Sequence, residues 1–165
     1  MAQLVIANLI TGADGCTTVD GRSSGLSSPE DRRRFHLLRE RAESILIGGN
    51  TARQEPYLKT PLPLYILSRG VIPSQVLANP NAHVLNSSLS HALGQIEGTV
   101  LIEAGPSLVR EGLVNTLIDE FHLTVTNQRS GENCVDIAEL IGGYCEKRRE
   151  VIGDDTFIVY EVLAK

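Results

Sequence analysis

Apolar residues in this chain gather in short runs broken by turn signals, the pattern of a sheet whose strands are covered on both faces. Leu4-Val5-Ile6-Ala7-Asn8-Leu9-Ile10 is the first run and predicts a central strand. Ser44-Ile45-Leu46-Ile47, Leu64-Tyr65-Ile66-Leu67 and Thr99-Val100-Leu101-Ile102 repeat the pattern. His83-Val84-Leu85 predicts a further short strand. Phe121-His122-Leu123-Thr124-Val125-Thr126 alternates instead, which predicts a strand with one wet face. Residues 157–163 predict a last strand, pairing antiparallel at the sheet edge.

Helical spacing fills the gaps. Ser28-Pro29-Glu30-Asp31 combines a cap, a first-turn proline and a capping-box-like acid. Phe35, Leu38 and Ala42 follow at steps of three and four, one buried stripe. A solvated outer face accounts for most of the arginines at 32, 33, 34, 39 and 41, with a nucleic-acid surface as the weaker alternative. A second helix begins near Pro106, with Val109, Leu113 and Leu117 as its core stripe and Gly112 predicting an early end. A short helix is expected over 90–96, and 127–133 reads as a polar turn around Ser130-Gly131. The expectation is one domain, 1–165, of the α/β class.

Two strand-to-helix turns carry the candidate chemistry. Gly48-Gly49-Asn50-Thr51 follows one buried strand, and Ala104-Gly105-Pro106-Ser107 follows another. Glycine lets backbone N–H groups approach a ligand, and a helix start presents unpaired N–H groups to an anion. Two such turns in one sheet point to a phosphate-bearing cofactor at the strand ends. Ser68-Arg69, at the end of the third strand, adds a hydroxyl and a guanidinium fork suited to phosphate. Asp14, in Thr11-Gly12-Ala13-Asp14-Gly15, reads from its spacing alone as a turn-forming aspartate.

Composition narrows the partners. The formal charge of −5 argues against nucleic-acid binding through bulk charge, and 42% hydrophobic content argues against disorder. Cys16, Cys134 and Cys145 have no C-x-x-C spacing, and His36, His83, His91 and His122 have no ligand spacing, so no metal is expected. With no secretory leader pattern and no apolar run long enough for a bilayer, a cytoplasmic location without membrane contact is expected.

Taken together, these pieces resemble the pyrimidine reductase domain of riboflavin biosynthesis, which shares the dihydrofolate reductase fold. The resemblance is best to stand-alone actinobacterial-type members and covers Leu4 to about Val125. It rests on Asp14-Gly15, Asp20-Gly21-Arg22-Ser23, the run from Leu26 to Arg33, and Phe35-His36-Leu37-Leu38-Arg39. It rests further on Gly48-Gly49-Asn50-Thr51-Ala52-Arg53, Glu103-Ala104-Gly105-Pro106-Ser107-Leu108 and Asp119-Glu120-Phe121-His122-Leu123. Ala104 replaces a usual glycine, Thr11-Gly12-Ala13 departs from the usual residues before Asp14, and 127–133 lacks a usual proline-glycine segment.

The resemblance implies a three-layer α/β/α domain with a mixed, mostly parallel sheet, NADPH as cofactor, and a homodimer. Gly48, Gly49 and Thr51 would follow the cofactor's phosphates or adenosine, and Ser68 and Arg69 its 2′-phosphate. Ala104, Gly105, Pro106 and Ser107 would hold the pyrophosphate. The implied substrate is a phosphorylated pyrimidine ribosylamine, 5-amino-6-(5-phosphoribosylamino)uracil, whose ribosyl carbon is reduced. Asp14 would be the general acid or would orient the sugar, through a partly buried carboxyl of raised pKa. Arg22, Ser23 and Arg53 would take the substrate phosphate, and Glu103 would line the pocket. Two alternatives stand beside this. One is a dihydrofolate reductase-like enzyme on another substrate, although the chain has no tryptophan. The other is a nucleotide-binding or oligomeric module without catalysis.

Overall fold

The structure is a computed structural model and describes residues 2–163. Eight strands form one sheet: β1 (Leu4–Thr11), β2 (Ser44–Gly48), β3 (Leu64–Leu67), β4 (Ala82–Leu85), β5 (Thr99–Ile102), β6 (Glu120–Val125), β7 (Tyr144–Ile152) and β8 (Asp155–Val162). Their order across the sheet is β4-β3-β2-β5-β1-β6-β8-β7. β1 is central and pairs parallel with both β5 and β6, and the parallel set continues outward to β4. β8 runs antiparallel between β6 and β7.

The apolar runs follow from this position. Successive side chains of a strand point to opposite faces, so a strand covered twice must be apolar throughout. Ile6 and Leu101 pack under Leu38 of α1 (Pro29–Arg41) and Ala42, the residue that follows it, on one face. Their neighbours Val5, Val100 and Ile102 pack on the other face with Leu89 and Leu93 of α4 (Leu89–Leu93) and Val109 and Leu113 of α5 (Pro106–Val114). A third cluster joins Ile45, Ile47 and Ile66 to Ala52 of α2 (Gly49–Gln54) and Val76 of α3 (Ser74–Leu77).

The helix starts are as the sequence predicts. Ser28 Oγ accepts from the N–H of Asp31 at 3.0 Å and Pro29 takes the first position of α1. Gly105 precedes α5 with no side-chain cap, and Pro106 opens the helix. α5 ends at Val114, so Leu117 lies beyond it. Gly112 packs closely on its neighbour: a Cβ there would meet Ile118 Cδ1 at 2.6 Å.

Three elements have no counterpart in the predicted pattern: α3, α6 (Ile137–Leu140) and β7. The true sheet edge is β7, and the strand predicted at the edge, β8, is shielded behind it. β7 reads Tyr-Cys-Glu-Lys-Arg-Arg-Glu-Val-Ile, and charge of this kind is how an edge strand avoids pairing with a neighbour. Among the described residues, no helix is long and apolar enough to cross a membrane.

Candidate functional site

At the carboxyl ends of the parallel strands lies a cleft of about 340 Å³. β1 lends it Asn8 and Ile10, and the end of β5 lends Glu103, Ala104, Gly105 and Pro106. α1 presents Asp31, Phe35 and Arg39, which recur every fourth residue and so share one face, with Arg32 beside them. Thr51, Glu55, Tyr57 and Lys59 close another side, and Thr17, Thr18, Ser23 and Ser24 come from the loop after β1.

Glu103 is the pivot of this cleft. Its side chain is only 2% exposed, and both carboxylate oxygens are engaged. Arg39 donates from Nε to Oε1 and from Nη2 to Oε2, each at 2.7 Å. The Tyr57 hydroxyl donates to Oε2 at 2.6 Å. Burial, and then the Glu103 carboxylate beside it, push the Tyr57 phenol well above its usual range, so it stays a hydrogen-bond donor. The guanidinium carbon of Arg39 lies 4.5 Å from the centre of the Phe35 ring. Arg39 is therefore no member of a solvated outer face, as its place among the arginines suggested. The i, i+4, i+8 series of Asp31, Phe35 and Arg39 is the sequence signal that separates it from its neighbours.

The other cleft carboxylates differ in how much of them is free. Glu55 Oε1 accepts from both the N–H and the hydroxyl of Ser23, at 3.0 and 2.9 Å. Asp31, buried in the first turn of α1, accepts from Ser27 Oγ at 2.7 Å through Oδ2 alone. Its Oδ1 has no hydrogen bond among the described residues. Arg32 and Lys59 are exposed at the cleft and enter no ion pair among the described residues.

The two glycine turns stand side by side, because β2 and β5 are paired neighbours. Gly105 N–H donates to Thr51 Oγ1 at 3.3 Å and ties one turn to the other. Around Gly105 a Cβ would meet nothing within 4 Å, so the backbone is open there. Ser107, one residue into α5, is exposed and lies outside the cleft lining. At Gly49 a Cβ would come within 2.8 Å of Ser68 Cβ and 3.1 Å of Arg53 Nη1. Gly48, Gly49, Ser68 and Arg53 therefore share one corner at the ends of β2 and β3, with exposed Arg69 next to Ser68.

Three of the sequence-predicted positions need correction. Arg53 does not face the cleft: two residues beyond Thr51 on a helix is a turn of about 200°. It donates instead to Val71 O at 3.2 Å and Asn50 Oδ1 at 2.6 Å. Arg22 is exposed outside the cleft lining because it closes a two-residue hairpin. The backbone bonds of that hairpin run between Val19 and Arg22, around Asp20 and Gly21 with φ of 51° and 74°. Ser23 does reach the cleft, but bound to Glu55.

Asp14 is the third. It is exposed and outside the cleft lining, and its carboxylate is held by its own loop. Cys16 N–H donates to Oδ1 at 3.1 Å and Ser130 N–H to Oδ2 at 2.7 Å. Hydrogen bonds from the Cys16 thiol, then from the Ser130 and Cys16 amides, lower its pKa to about 2. A carboxyl so far ionised has no proton to give at neutral pH. Asp14 is a clasp between the loop after β1 and the segment after β6.

A family model described as the RibD C-terminal domain matches residues 3–132. No curated protein matches the chain. Among solved structures the chain is similar to a pyrimidine reductase-like protein from Corynebacterium diphtheriae. The TM-score is 0.77 at 19% identity, over 98% of this chain and 92% of that one. It is similar to RibD of Acinetobacter baumannii, with a TM-score of 0.72 at 18% identity, over 98% of this chain and 58% of that one. It is also similar to dihydrofolate reductase from Enterococcus faecalis complexed with NADP(H), with a TM-score of 0.73 at 14% identity, over 96% of each chain. At such identities the likeness is one of fold: an α/β domain of the dihydrofolate reductase-like type, with a mixed, mostly parallel sheet.

Proposed function

The chain belongs to the RibD C-terminal domain family, and from that premise we propose that it is a nicotinamide-dependent reductase of a phosphorylated pyrimidine ribosylamine. The single observation that carries the reading is the junction of the two glycine turns with the cleft. Thr51, Gly105 and Pro106 belong to both, so a cofactor lying along the turns would end where a substrate would sit.

The residues present fit a dinucleotide. Gly105 leaves its backbone open, and α5 begins with no side chain occupying its first N–H groups. Ala104, Gly105, Pro106 and Ser107 would face a pyrophosphate, and Gly48, Gly49 and Thr51 the adjoining phosphate or ribose. Ser68, Arg69 and now Arg53 would meet a 2′-phosphate, which favours NADPH over NADH. When bound, the cofactor supplies the hydride.

What remains for the protein is placement and a proton. Arg32 and Lys59, the cleft cations without a carboxylate partner, would take the substrate phosphate in place of Arg22 and Arg53. Glu103, fixed by Arg39 and Tyr57, would accept a hydrogen bond from the sugar at a set position. Asp31 would take the part that the resemblance gives to Asp14, since its Oδ1, like Glu55 Oε2, is a carboxylate oxygen of a cleft residue left without a hydrogen bond among the described residues. The alternative of a dihydrofolate-like substrate uses the same turns and differs only in the cleft.

The test is NADPH oxidation followed separately with 5-amino-6-(5-phosphoribosylamino)uracil and with dihydrofolate. Turnover with the pyrimidine ribosylamine alone supports the reading. Turnover with dihydrofolate alone replaces the substrate, and NADPH binding without turnover on either replaces the enzyme with a binding module.

A further inference from the structure

One side of the cleft is built from chain without regular structure, and what holds it there lies outside the cleft. Residues 55–63 form neither helix nor strand, yet Tyr57, Lys59 and Thr60 line the cleft. A side chain on such a segment keeps one place only where the backbone around it is tied down. The ties come from the turn between α3 and β4. Asn79 is 2% exposed and outside the cleft lining. Its Nδ2 donates to Tyr57 O at 3.3 Å and to Thr60 Oγ1 at 3.0 Å, and its Oδ1 accepts from the Asn81 N–H at 3.0 Å. Asn81 Nδ2 donates to Thr60 O at 2.6 Å.

The anchor is itself fixed in its turn. The Asn79 N–H donates to Val76 O and its carbonyl accepts from the Ala82 N–H, each at 3.0 Å, and Asn81 O accepts from the Leu64 N–H at 2.8 Å. A carboxamide has two N–H donors, and Asn79 sets its two donor bonds on either side of Lys59. An aspartate of the same shape would offer neither donor. Among the described residues, neither asparagine bonds to the glycine turns at 48–51 and 104–107.

We propose that Asn79, seconded by Asn81, is a positioning residue that fixes Lys59 at the cleft for the substrate phosphate and holds the Tyr57 hydroxyl on Glu103. The part given to Lys59 rests on the reductase reading, and the hold on Tyr57 stands without it. When Asn79 is removed, Tyr57 O and Thr60 Oγ1 lose their partner, and Lys59 spreads over many orientations. The Tyr57 phenol, kept well above its usual range by burial and then by Glu103, falls toward that range as the segment loosens.

Asn79→Ala is compared with the parent protein and with Asn81→Ala, which removes one tie from a half-buried side chain and carries the test if Asn79→Ala does not fold. Alkaline titration of tyrosine absorbance should show one more phenol ionising near the ordinary value of about 10 in each variant, and none extra once Tyr57→Phe is added. With the phosphorylated pyrimidine ribosylamine, KM should rise about tenfold in Asn79→Ala while NADPH affinity stays that of the parent. Adding Lys59→Ala to Asn79→Ala should then raise KM little further, because the two changes remove one contact. A parent without turnover would sink the reductase reading and the part of Lys59 with it, and the titration would still decide the hold on Tyr57. An unchanged tyrosine titration in the folded variants, or NADPH affinity that falls together with that of the substrate, would overturn the proposal and leave the asparagines a role in stability alone.

Discussion

Arg39 and Glu103 meet as a two-pronged pair, Nε on Oε1 and Nη2 on Oε2 at 2.7 Å, with Glu103 almost wholly out of water. Sixty-four positions apart in the chain, they fasten α1 to the end of β5 at the edge of the cleft. A carboxylate buried in this way is tolerable only while its partners remain.

Arg39→Ala should therefore destabilise the protein by about 3 kcal/mol or more, the cost of leaving a buried charge without its partner. Tyr57→Phe should cost about 1.5–3 kcal/mol, the worth of one hydrogen bond to a charged acceptor. Denaturant unfolding of both variants measures this. A loss below about 1 kcal/mol for Arg39→Ala would mean that water, not Arg39, satisfies Glu103.

Acid should loosen the central sheet through Glu120. Its pKa is lowered to about 2, first by the hydrogen bond with His122 and then by Arg41, whose Nη2 is 2.7 Å away. A carboxylate depressed in the folded state adds stability above its unfolded pKa of about 4.5 and loses it as pH falls toward the folded value. Unfolding free energies of the parent protein and Glu120→Gln, measured at about pH 6 and about pH 3, should converge at the lower pH. A gap that stays constant would remove Glu120 from the acid response.

Gly112→Ala tests the α5 packing. The added methyl would press on Ile118 Cδ1 at 2.6 Å and on Cγ1 at 3.0 Å. Helix propensity favours alanine by about 1 kcal/mol, while overpacking costs about 1–3 kcal/mol. A net loss of stability in thermal unfolding is expected, and a gain would show that Ile118 moves aside freely.

The two phosphate assignments separate by ligand. Arg53→Ala and Arg69→Ala should weaken NADPH about tenfold or more while leaving NADH nearly unchanged, since a bidentate charged contact is worth about 1.5–3 kcal/mol. Arg32→Ala and Lys59→Ala should raise KM for the phosphorylated substrate and spare both cofactors. Titration calorimetry and steady-state kinetics read the two patterns. Equal weakening of NADPH and NADH would detach Arg53 and Arg69 from the 2′-phosphate.

The parallel half of the fold was legible because burial on both faces writes an unmistakable apolar run into β1, β2, β3 and β5, and because Ser28, Pro29 and Pro106 mark helix starts. β7 was not, since a charged edge strand carries no apolar period to detect. Of the site, the two turns could be read because each follows a buried apolar strand and opens a helix, although close packing demands glycine only at Gly49 and leaves Gly105 room for a side chain. Arg53 and Asp14 were misplaced for a common reason: a motif gives a residue's position in the chain but not the direction of its side chain. Arg53 is rotated out of the cleft by α2, and Asp14 is captured by the amides of Cys16 and Ser130. Tyr57 and Lys59 sit in an irregular segment, where spacing predicts no facing.

The most direct measurement is a crystal structure of the chain grown with NADPH. The dinucleotide should lie across 48–51 and 104–107, with its 2′-phosphate beside Ser68, Arg69 and Arg53 and its nicotinamide at the cleft between Glu103 and Asp31. Density for the cofactor elsewhere, or both turns empty at saturating NADPH, would contradict this placement.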